Sequence, residues 1–294
     1  MYDLIIIGAG PAGLTAGIYA SRANLKTLIL EKESIGGQIA SSPLVENYPG
    51  LKSVSGAKLA NNFFEQALDL GVYFEIEEVL KIEDGDIKKV ITDSNSYETK
   101  SIIIATGSTH KRLGLKNEEE LIGNGIHFCA SCDGAFYKNK KVAVIGGANS
   151  AVLNAIYLSS LCKTVYLIYR NELKCEKTLI ERLKTKTNIK LIPKSIVTKY
   201  IGNPLEKIIL NEKEELEVDG LFISIGMNAN TKLVNNLLNI NESNYIVSNE
   251  CITNKKGIFV AGDCREKTVR QVTTATNDGT IAANLAIRYL EEEK

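Results

Sequence analysis

Two cysteines and a carboxylate stand together in the segment Cys129-Ala130-Ser131-Cys132-Asp133-Gly134. A cysteine pair at this spacing can close into a disulfide. One thiolate attacks a substrate disulfide, and the second resolves the mixed disulfide that forms. The carboxyl group of Asp133 can protonate a departing thiolate or deprotonate an attacking thiol. A helix cap or a turn residue before Gly134 is the alternative role for this aspartate. The segment therefore predicts dithiol redox chemistry.

Half of a zinc site is the competing interpretation of this cysteine pair, because a structural zinc ion takes four protein ligands. The sequence has no second CxxC, and its only histidines are His110 and His127. His127 lies only two residues before Cys129, so the sequence shows no complete set of four zinc ligands. The sequence favours the redox interpretation and predicts no metal.

A glycine loop near the N-terminus predicts dinucleotide binding. Gly8, Gly10 and Gly13 follow the apolar run 4–7 and precede a helical pattern. The first glycine permits a tight turn, the second lets a pyrophosphate approach the backbone, and the third lets helix and strand pack closely. Glu31 ends the next apolar run and can accept hydrogen bonds from a ribose. The alternative is a glycine turn used for packing alone.

A second anchor for such a ligand is predicted near the C-terminus. Gly262-Asp263 follows the apolar run 257–261, and the Asp263 carboxylate could bind a polyol chain. Alone, Asp263 would be equally well explained as an ordinary helix cap. Together with the first loop, it favours ligand binding because independent features then agree.

The strand–glycine turn–helix pattern restarts at residues 141–168, which indicates a second unit of the same kind. We therefore predict an α/β fold with two Rossmann-like, three-layer dinucleotide-binding domains, the second inserted into the first. The predicted boundaries are 1–110 for the first part of one domain, 111–229 for the insert that carries the CxxC, and 230–294 for the second part. Helices are predicted at residues 55–70 and 271–289 from their caps and apolar spacing.

Composition excludes several classes of protein. Lysine plus arginine and aspartate plus glutamate both number 35, so the net charge of zero argues against a nucleic-acid-binding protein. The apolar run at the N-terminus is too short for a membrane span and lacks a basic flank, so we expect a cytoplasmic protein without a membrane segment. The remaining cysteines are expected to be reduced, packed thiols: Cys162, Cys175, Cys251 and Cys264.

In order along the chain, the motifs GAGPAG, IGGQ, ENYPG, ATGS, CASCDG, GIFVAGDC and RQV resemble those of the low-molecular-weight thioredoxin reductases. The resemblance covers essentially the whole chain. It implies a homodimer with FAD, in which Cys129 attacks thioredoxin, Cys132 faces the isoalloxazine ring and Asp133 is the acid–base residue. The residues it implies for FAD binding are Gly8, Gly10, Pro11, Ala12, Gly13, Glu31, Gly37, Gln38, Asn47, Gly262, Asp263, Arg270, Gln271 and Val272.

The second glycine loop departs from that family's pattern. Ala148 stands where the family has the glycine that lets a pyrophosphate approach. Where the family has HRRxxxR for a 2′-phosphate, this chain has Tyr169-Arg170-Asn171-Glu172-Leu173-Lys174, one residue short and with Glu172 in an anion site. A site for NADH would need an acid in the place of Tyr169. The pattern favours poor binding of both NADPH and NADH; an atypical working site is the alternative.

A subgroup of the resembling enzymes, the ferredoxin-dependent flavin thioredoxin reductases, lacks these nucleotide motifs, and this chain resembles that subgroup. The resemblance implies reduced ferredoxin as the electron donor and thioredoxin as the acceptor. Ferredoxins are acidic, and Lys138, Lys140 and Lys141 are one candidate docking patch, although solvated charges explain them as well. Three alternatives stay open: an NADPH-fed reductase, a dithiol oxidase of the same fold, and a non-catalytic flavin redox sensor.

Overall fold

Two sets of strands and helices make up the chain, and the computed structural model describes them over residues 1–42 and 44–292. They separate into two units. The first contains residues 1–109 and the chain from Asn228 onward, and the second contains residues 110–227. The last two residues of the predicted segment 230–294 lie outside the described residues.

The first part of the first unit alternates strands with two long helices. Its elements are β1 (Tyr2–Ile7), α1 (Pro11–Arg22), β2 (Thr27–Glu31), α2 (Gly56–Asp69), β3 (Tyr73–Ile76), β4 (Val79–Glu83), β5 (Lys88–Thr92), β6 (Ser96–Ile104) and β7 (Ser108–His110). Ser55 caps α2 as predicted, because its side chain accepts a hydrogen bond from the backbone amide of Lys58 at 3.2 Å.

The second unit contains shorter helices and two kinds of sheet. Its elements are α3 (Glu118–Leu121), β8 (Ile126–His127), α4 (Ala130–Asp133), β9 (Lys141–Ile145), α5 (Asn149–Ser159), β10 (Thr164–Tyr169), α6 (Lys177–Lys184), β11 (Ile189–Pro193), β12 (Val197–Ile201), β13 (Lys207–Leu210), β14 (Glu214–Glu217) and β15 (Gly220–Ile223).

The chain returns to the first unit through β16 (Met227–Ala229), which pairs with β7. The strand β17 (Ile258–Val260) and the long helix α7 (Val272–Glu292) complete that unit. Short 3₁₀ turns occur at Gly37–Ser41, Gly134–Tyr137, Lys232–Val234 and Gly262–Cys264.

The main sheet of the first unit has the order β3-β2-β1-β6-β5-β4, with β17 also paired to β6. Neighbours among β3, β2, β1, β6 and β17 are parallel, whereas β4 and β5 are antiparallel additions. Leu4 and Ile6 belong to the core on the face that carries α1 and α7, and Ile5 and Ile7 to the core on the other face. Both faces of β1 are therefore covered, as parallel sheets require.

The second unit repeats this arrangement with a parallel sheet of order β11-β10-β9-β15-β8. Val142 and Val144 pack with α5, and Ala143 and Ile145 pack on the opposite face with the antiparallel sheet β12-β13-β14. The predicted α/β class with two Rossmann-like domains is confirmed. The sequence patterns predicted no structure for the remaining elements of this unit, α6 and β11–β14.

None of the helices in residues 1–42 and 44–292 is both long and apolar enough to cross a membrane.

Candidate active site

Cys129 and Cys132 are joined by a disulfide, with their Cα atoms 5.3 Å apart. Cys129 is the N-cap of the single-turn helix α4, and its Sγ accepts a hydrogen bond from the backbone amide of Cys132 at 3.2 Å. Both cysteines are partly exposed. The pair therefore lies where a second thiol could reach it.

Asp133 is the last residue of α4 and is buried. Its Oδ2 lies 3.1 Å from Nδ1 of His127, whereas its Oδ1 is buried without a hydrogen-bond partner. Its backbone amide donates to the carbonyl of Cys129 at 3.0 Å, which ties the aspartate to the disulfide turn. A buried carboxyl oxygen without a partner can take or give a proton at low cost in competing hydrogen bonds. The helix-cap role considered for Asp133 is not supported, because its side chain caps neither α4 nor the following turn.

His127 is a residue of this site that the sequence interpretation missed. It lies on the buried strand β8, and its Nε2 is 2.7 Å from the hydroxyl of Tyr137. Burial, and secondarily the charge of Asp133, raise the pKa of Tyr137 to about 12. A histidine within a buried strand needs hydrogen-bond partners on both ring nitrogens, and this was the available signal.

The first glycine loop has the geometry that a dinucleotide needs. Gly8 has a φ of +109°, and a Cβ there would lie 2.4 Å from the carbonyl oxygen of Ala105. A Cβ on Gly13 would lie 1.9 Å from the carbonyl oxygen of Gly8, so only glycine permits this packing. A Cβ on Gly10 would meet nothing within 4 Å. The helix α1 begins at Pro11, so its amide groups point into open space beside Gly10.

Several residues predicted to bind FAD surround this loop. A Cβ on Gly37 would lie 3.5 Å from the Cα of Gly10, and one on Gly262 would lie 2.9 Å from the Cβ of Ala12. Oε2 of Glu31 accepts a hydrogen bond from the amide of Ala9 at 2.8 Å. The loop, the end of β2 and the turn after β17 are thereby brought together.

The other predicted residues form two smaller groups within the first unit. The amide of Gln38 donates to the carbonyl of Ser108 at 2.7 Å. The amide of Asn47 donates to Oε1 of Gln271 at 3.2 Å, just before α7 begins at Val272. The structure thus gives each of these side chains a partner on a distant part of the first unit.

Among the described residues of this region, the buried Nε of Arg270 has no hydrogen-bond partner, and the buried Oδ1 of Asp263 contacts Lys267 alone. Burial raises the pKa of Asp263, and the ion pair with Lys267 at 3.3 Å opposes that effect. The guanidinium of Arg270 lies 4.2 Å from the ring centre of Tyr245. Together with the open space at Gly10, the unpartnered Nε of Arg270 and the buried carboxylate of Asp263 fit the phosphates and the hydroxyl-rich chain of FAD.

A buried network of charged side chains contacts Asp263 through Lys267. Arg265 donates two hydrogen bonds of 2.9 Å to Asp278, and Lys267 lies 3.0 Å from the same carboxylate. Burial alone would raise the pKa of Asp278, but the hydrogen bonds from Arg265 and Lys267 outweigh burial and lower it. Lys267 therefore joins Asp278 to Asp263.

The second glycine loop keeps the backbone of the first but has Ala148 where the first loop has Gly10. Gly146 has a φ of +140°, and Ala148 is the N-cap of α5. The amide of Lys174 donates to the carbonyl of Gly147 at 2.7 Å. Asn149, in the first turn of α5, exchanges two hydrogen bonds of 3.0 Å with Glu176. The segment after β10 is thus tied directly to the loop.

Three of the four remaining cysteines are buried thiols, as expected: Cys162, Cys251 and Cys264. Cys175 is the exception, because it is only partly buried on the segment before α6.

Of the three lysines considered for docking, Lys138 and Lys140 are exposed, and Lys141 is partly buried and pairs with Glu217 at 3.4 Å. Among the described residues, no three histidine, cysteine, aspartate or glutamate side chains form a metal-binding group.

Comparison with known proteins agrees with this geometry. A family model described as pyridine nucleotide-disulphide oxidoreductase matches residues 2–279. The chain is 44% identical to a 34.2 kDa protein in the rubredoxin operon of Clostridium pasteurianum, over 98% of this chain and 97% of the relative. It is 41% identical to thioredoxin reductase of Bacillus subtilis, over 99% of this chain and 96% of the relative. The crystal structure of thioredoxin reductase from Streptococcus pyogenes is 39% identical and has a TM-score of 0.95 over 99% of both chains.

Proposed function

This chain belongs to the pyridine nucleotide-disulphide oxidoreductase family, and we propose that it is an FAD-dependent thioredoxin-disulfide reductase fed by reduced ferredoxin. The observation that carries the reductase activity is the disulfide between Cys129 and Cys132 with the buried, half-partnered carboxyl of Asp133 beside it. Relatives bearing the name thioredoxin reductase, at 40–41% identity over nearly the whole chain, support thioredoxin as the substrate.

FAD is the cofactor that the first unit is proposed to hold, through the loop at Gly8–Gly13, the carboxyl of Asp263 and the side chain of Arg270. When bound, FAD supplies the electron pair that opens the disulfide of the chain into two thiols. The glycines and the start of α1 hold the pyrophosphate, Glu31 is proposed to accept from the ribose, and Asp263 from the polyol chain. We further propose a homodimer, as the family resemblance implies.

The two cysteines then act in sequence. The thiolate of Cys129 attacks the disulfide of thioredoxin and forms a mixed disulfide, and one thioredoxin sulfur departs as a thiolate. Cys132 attacks Cys129, releases the second thioredoxin sulfur and restores the disulfide of the chain. Asp133 is proposed to move the proton at each step.

Reduced ferredoxin is proposed as the donor because the second loop is poorly built for a pyridine nucleotide. The methyl group of Ala148 occupies the N-cap of α5, where phosphate oxygens would otherwise approach the backbone. Glu172 adds a negative charge to the segment that would have to bind a 2′-phosphate. With a one-electron donor, two successive electron transfers precede each opening of the disulfide.

The donor is tested by mixing the FAD-loaded protein anaerobically with NADPH, NADH or photoreduced ferredoxin and following the loss of visible flavin absorbance. We expect rapid, stoichiometric bleaching with ferredoxin alone, followed by reduction of thioredoxin. Equally fast bleaching with NADPH would identify the NADPH-fed enzyme instead. Fast reoxidation by air with a small dithiol as the only electron source would identify a dithiol oxidase.

The reductase activity itself is tested with Cys132→Ser. This variant should keep its FAD and lose thioredoxin reduction, whereas Cys162→Ser, which changes a buried thiol remote from the disulfide in sequence, serves as the matched control. Turnover by Cys132→Ser would contradict the role of the disulfide. A wild-type protein that is reduced but never reduces thioredoxin would be a redox sensor.

A further inference from the structure

We propose that His127 is a positioning residue for Asp133, with Tyr137 selecting the tautomer of the histidine, so that one carboxyl oxygen is held and the other is left for proton transfer. The inference rests on the proposed disulfide reductase function and deepens it. Its basis is a row of three side chains, Asp133, His127 and Tyr137, joined by contacts of 3.1 Å and 2.7 Å.

The direction of the two hydrogen bonds follows from what each partner can accept: an ionised carboxylate only accepts, so the contact with Oδ2 of Asp133 requires the proton on Nδ1 of His127. The phenol of Tyr137 is 8% exposed, and its pKa of about 12 keeps the hydroxyl proton in place at neutral pH. The hydroxyl can then donate to Nε2 of His127, which leaves the ring proton on Nδ1. That Nδ1–H donates to Oδ2 of Asp133.

Packing fixes the histidine ring in this position. The His127 side chain is 3% exposed, and its ring stacks on Phe222 with centroids 5.4 Å apart. Tyr137 meets the same phenylalanine edge-on at 5.6 Å. Because both partners rest on one residue of β15, neither ring can turn away without losing aromatic contact.

The consequence for Asp133 is an asymmetric carboxyl group. Oδ2 is occupied by the Nδ1–H of His127, and Oδ1 is buried with no partner. Since the Asp133 amide is bonded to the Cys129 carbonyl, the carboxyl is attached to the turn that bears the disulfide. Only Oδ1 is therefore available to exchange a proton with sulfur.

Within residues 1–42 and 44–292, the other charged groups that act on this row do so at its far end, at Tyr137. Nζ of Lys140 lies 5.5 Å from the ring centre of Tyr137, and Asp219 acts on Tyr137 through its charge. Phe222, which packs against His127 from β15, carries no charge. Asp133 is thus the charged group in contact with the imidazole.

The proton balance of the reaction defines what this arrangement does. Oδ1 of Asp133 takes the proton of the Cys129 thiol, and the thiolate attacks the substrate disulfide. The departing thiolate takes the proton back from Oδ1. The same cycle then serves Cys132, so two thiols are oxidised to a disulfide while one substrate disulfide becomes two thiols. His127 keeps its Nδ1 proton throughout.

The kinetic test compares substrates with different leaving thiols, using enzyme reduced by stoichiometric dithionite so that the identity of the donor does not matter. His127→Leu should slow the reduction of thioredoxin and of bis(2-hydroxyethyl) disulfide about 100-fold, the lower end of the range for general acid–base catalysis. An aromatic disulfide with an acidic leaving thiol should slow clearly less than the other two, because its thiolate departs without a proton and only the deprotonation of Cys129 still depends on Asp133. A merely structural role would slow all three substrates alike.

Two further variants keep the test sharp if His127→Leu folds poorly. His127→Asn retains a donor near the position of Nδ1 and should recover rates to within about fivefold of wild type. Asp133→Asn should show the same selectivity for leaving thiols, and His127→Leu added to it should slow the reaction no further, since the two residues act as one unit.

The tautomer is tested separately by ¹⁵N NMR of protein labelled at histidine, which has only two such residues to assign. We expect the Nδ1–H form of His127 in wild type and a loss of that preference in Tyr137→Phe. An Nε2–H form in wild type, or equal slowing of all disulfides by His127→Leu, would overturn the inference. Failure of the proposed function looks different: wild type would reduce the small disulfides but not thioredoxin.

Discussion

The two glycine loops of this chain have the same backbone hydrogen bond and differ in the side chain at their third residue. In both loops, the carbonyl of the second residue accepts a hydrogen bond from the segment after the next strand: Gly36 to Ala9 at 2.8 Å and Lys174 to Gly147 at 2.7 Å. The third residue differs, since Gly10 leaves open space and Ala148 adds a methyl group. The comparison teaches that the same loop backbone can be kept while the residue at the position that meets a phosphate changes.

The ends of the second strands differ in the same sense. β2 ends at Glu31, whose carboxylate accepts hydrogen bonds from the amides of Ala9, Lys32 and Glu33. β10 ends at Tyr169, which offers no acceptor of that kind. The two loops thus share a framework, and the carboxylate that the dinucleotide fingerprint places at the end of the second strand stands in the first loop's unit and not at Tyr169.

The largest effect should come from Gly13→Ala. Its methyl group would overlap the carbonyl of Gly8, so α1 would have to move away from β1. We expect the purified variant to carry less than about a tenth of the wild-type FAD, measured by visible absorbance against protein concentration. Gly147→Ala is the matched control in the second loop, because its nearest contact at 3.4 Å is ordinary. Equal FAD content in both variants would contradict the difference between the loops.

Asp278→Asn should be the next most damaging change. It leaves the partly buried guanidinium of Arg265 without its carboxylate partner and removes one of the two carboxylates that pair with Lys267. Loss of one partner of a buried pair costs about 3–5 kcal/mol, and urea unfolding followed by flavin fluorescence should show it. Because the pKa of Asp278 is lowered on folding, this stabilisation is present above the pKa of the unfolded carboxyl and is lost as the pH falls through the folded pKa.

Glu181→Gln on α6 is the control for Asp278→Asn. It breaks an exposed pair with Lys184 and should not change unfolding measurably. Similar losses in the two variants would mean that burial does not distinguish the two carboxylates.

Asp278 is a buried group of the first unit that is charged, whereas His110 in the second unit is a partly buried group that is neutral at pH 7. This ring stacks on Phe128, and burial, followed by the charge of Arg112, lowers the pKa of His110 to about 4. Between pH 6.5 and pH 4, the unfolded chain therefore binds a proton at His110 that the folded chain does not bind. Stability should fall by on the order of 1–2 kcal/mol between pH 7 and pH 5 on this account.

His110→Gln should remove that part of the pH dependence while leaving the rest. The measurement is the free energy of unfolding at both pH values, with wild type and the variant side by side. An unchanged slope would show that the imidazole is protonated alike in both states.

The smallest effect should come from repairing the second loop with Ala148→Gly and Glu172→Arg together. Removing one methyl group and reversing one charge should tighten binding of 2′,5′-ADP about tenfold, measured by isothermal titration calorimetry. Glu181→Arg, the same charge reversal on α6, should leave the affinity unchanged. No gain in the double variant would show that the strand end, Tyr169, limits this site instead.

The sequence predicted the parts of the fold that short patterns encode. The strands flanking both glycine loops and the helix capped by Ser55 were found within one or two residues. The strands β12–β14 were missed because segments as short as Lys207–Leu210, or as charged as Glu214–Glu217, become strands only through their partners in the folded sheet.

The same distinction holds at the site. Cys129, Cys132 and Asp133 are adjacent in sequence, so their grouping was visible from spacing alone. The contact of His127 with Tyr137 depends on a strand and a 3₁₀ turn meeting in the folded unit, ten residues apart. Its functional use stays invisible until both ring nitrogens are seen to have partners.

The chain leaves the first unit and returns to it at one place, where Asn230 forms three hydrogen bonds with Thr106 and Gly107. These hydrogen bonds join the two parts of the first unit without using any inserted residue. The core that they close is built from β1, β6, β17, α1 and α7. The entropy of closing a loop grows only logarithmically with its length. The first unit thus closes its core through its own residues, and the length of the inserted unit adds little to the entropic cost of that closure.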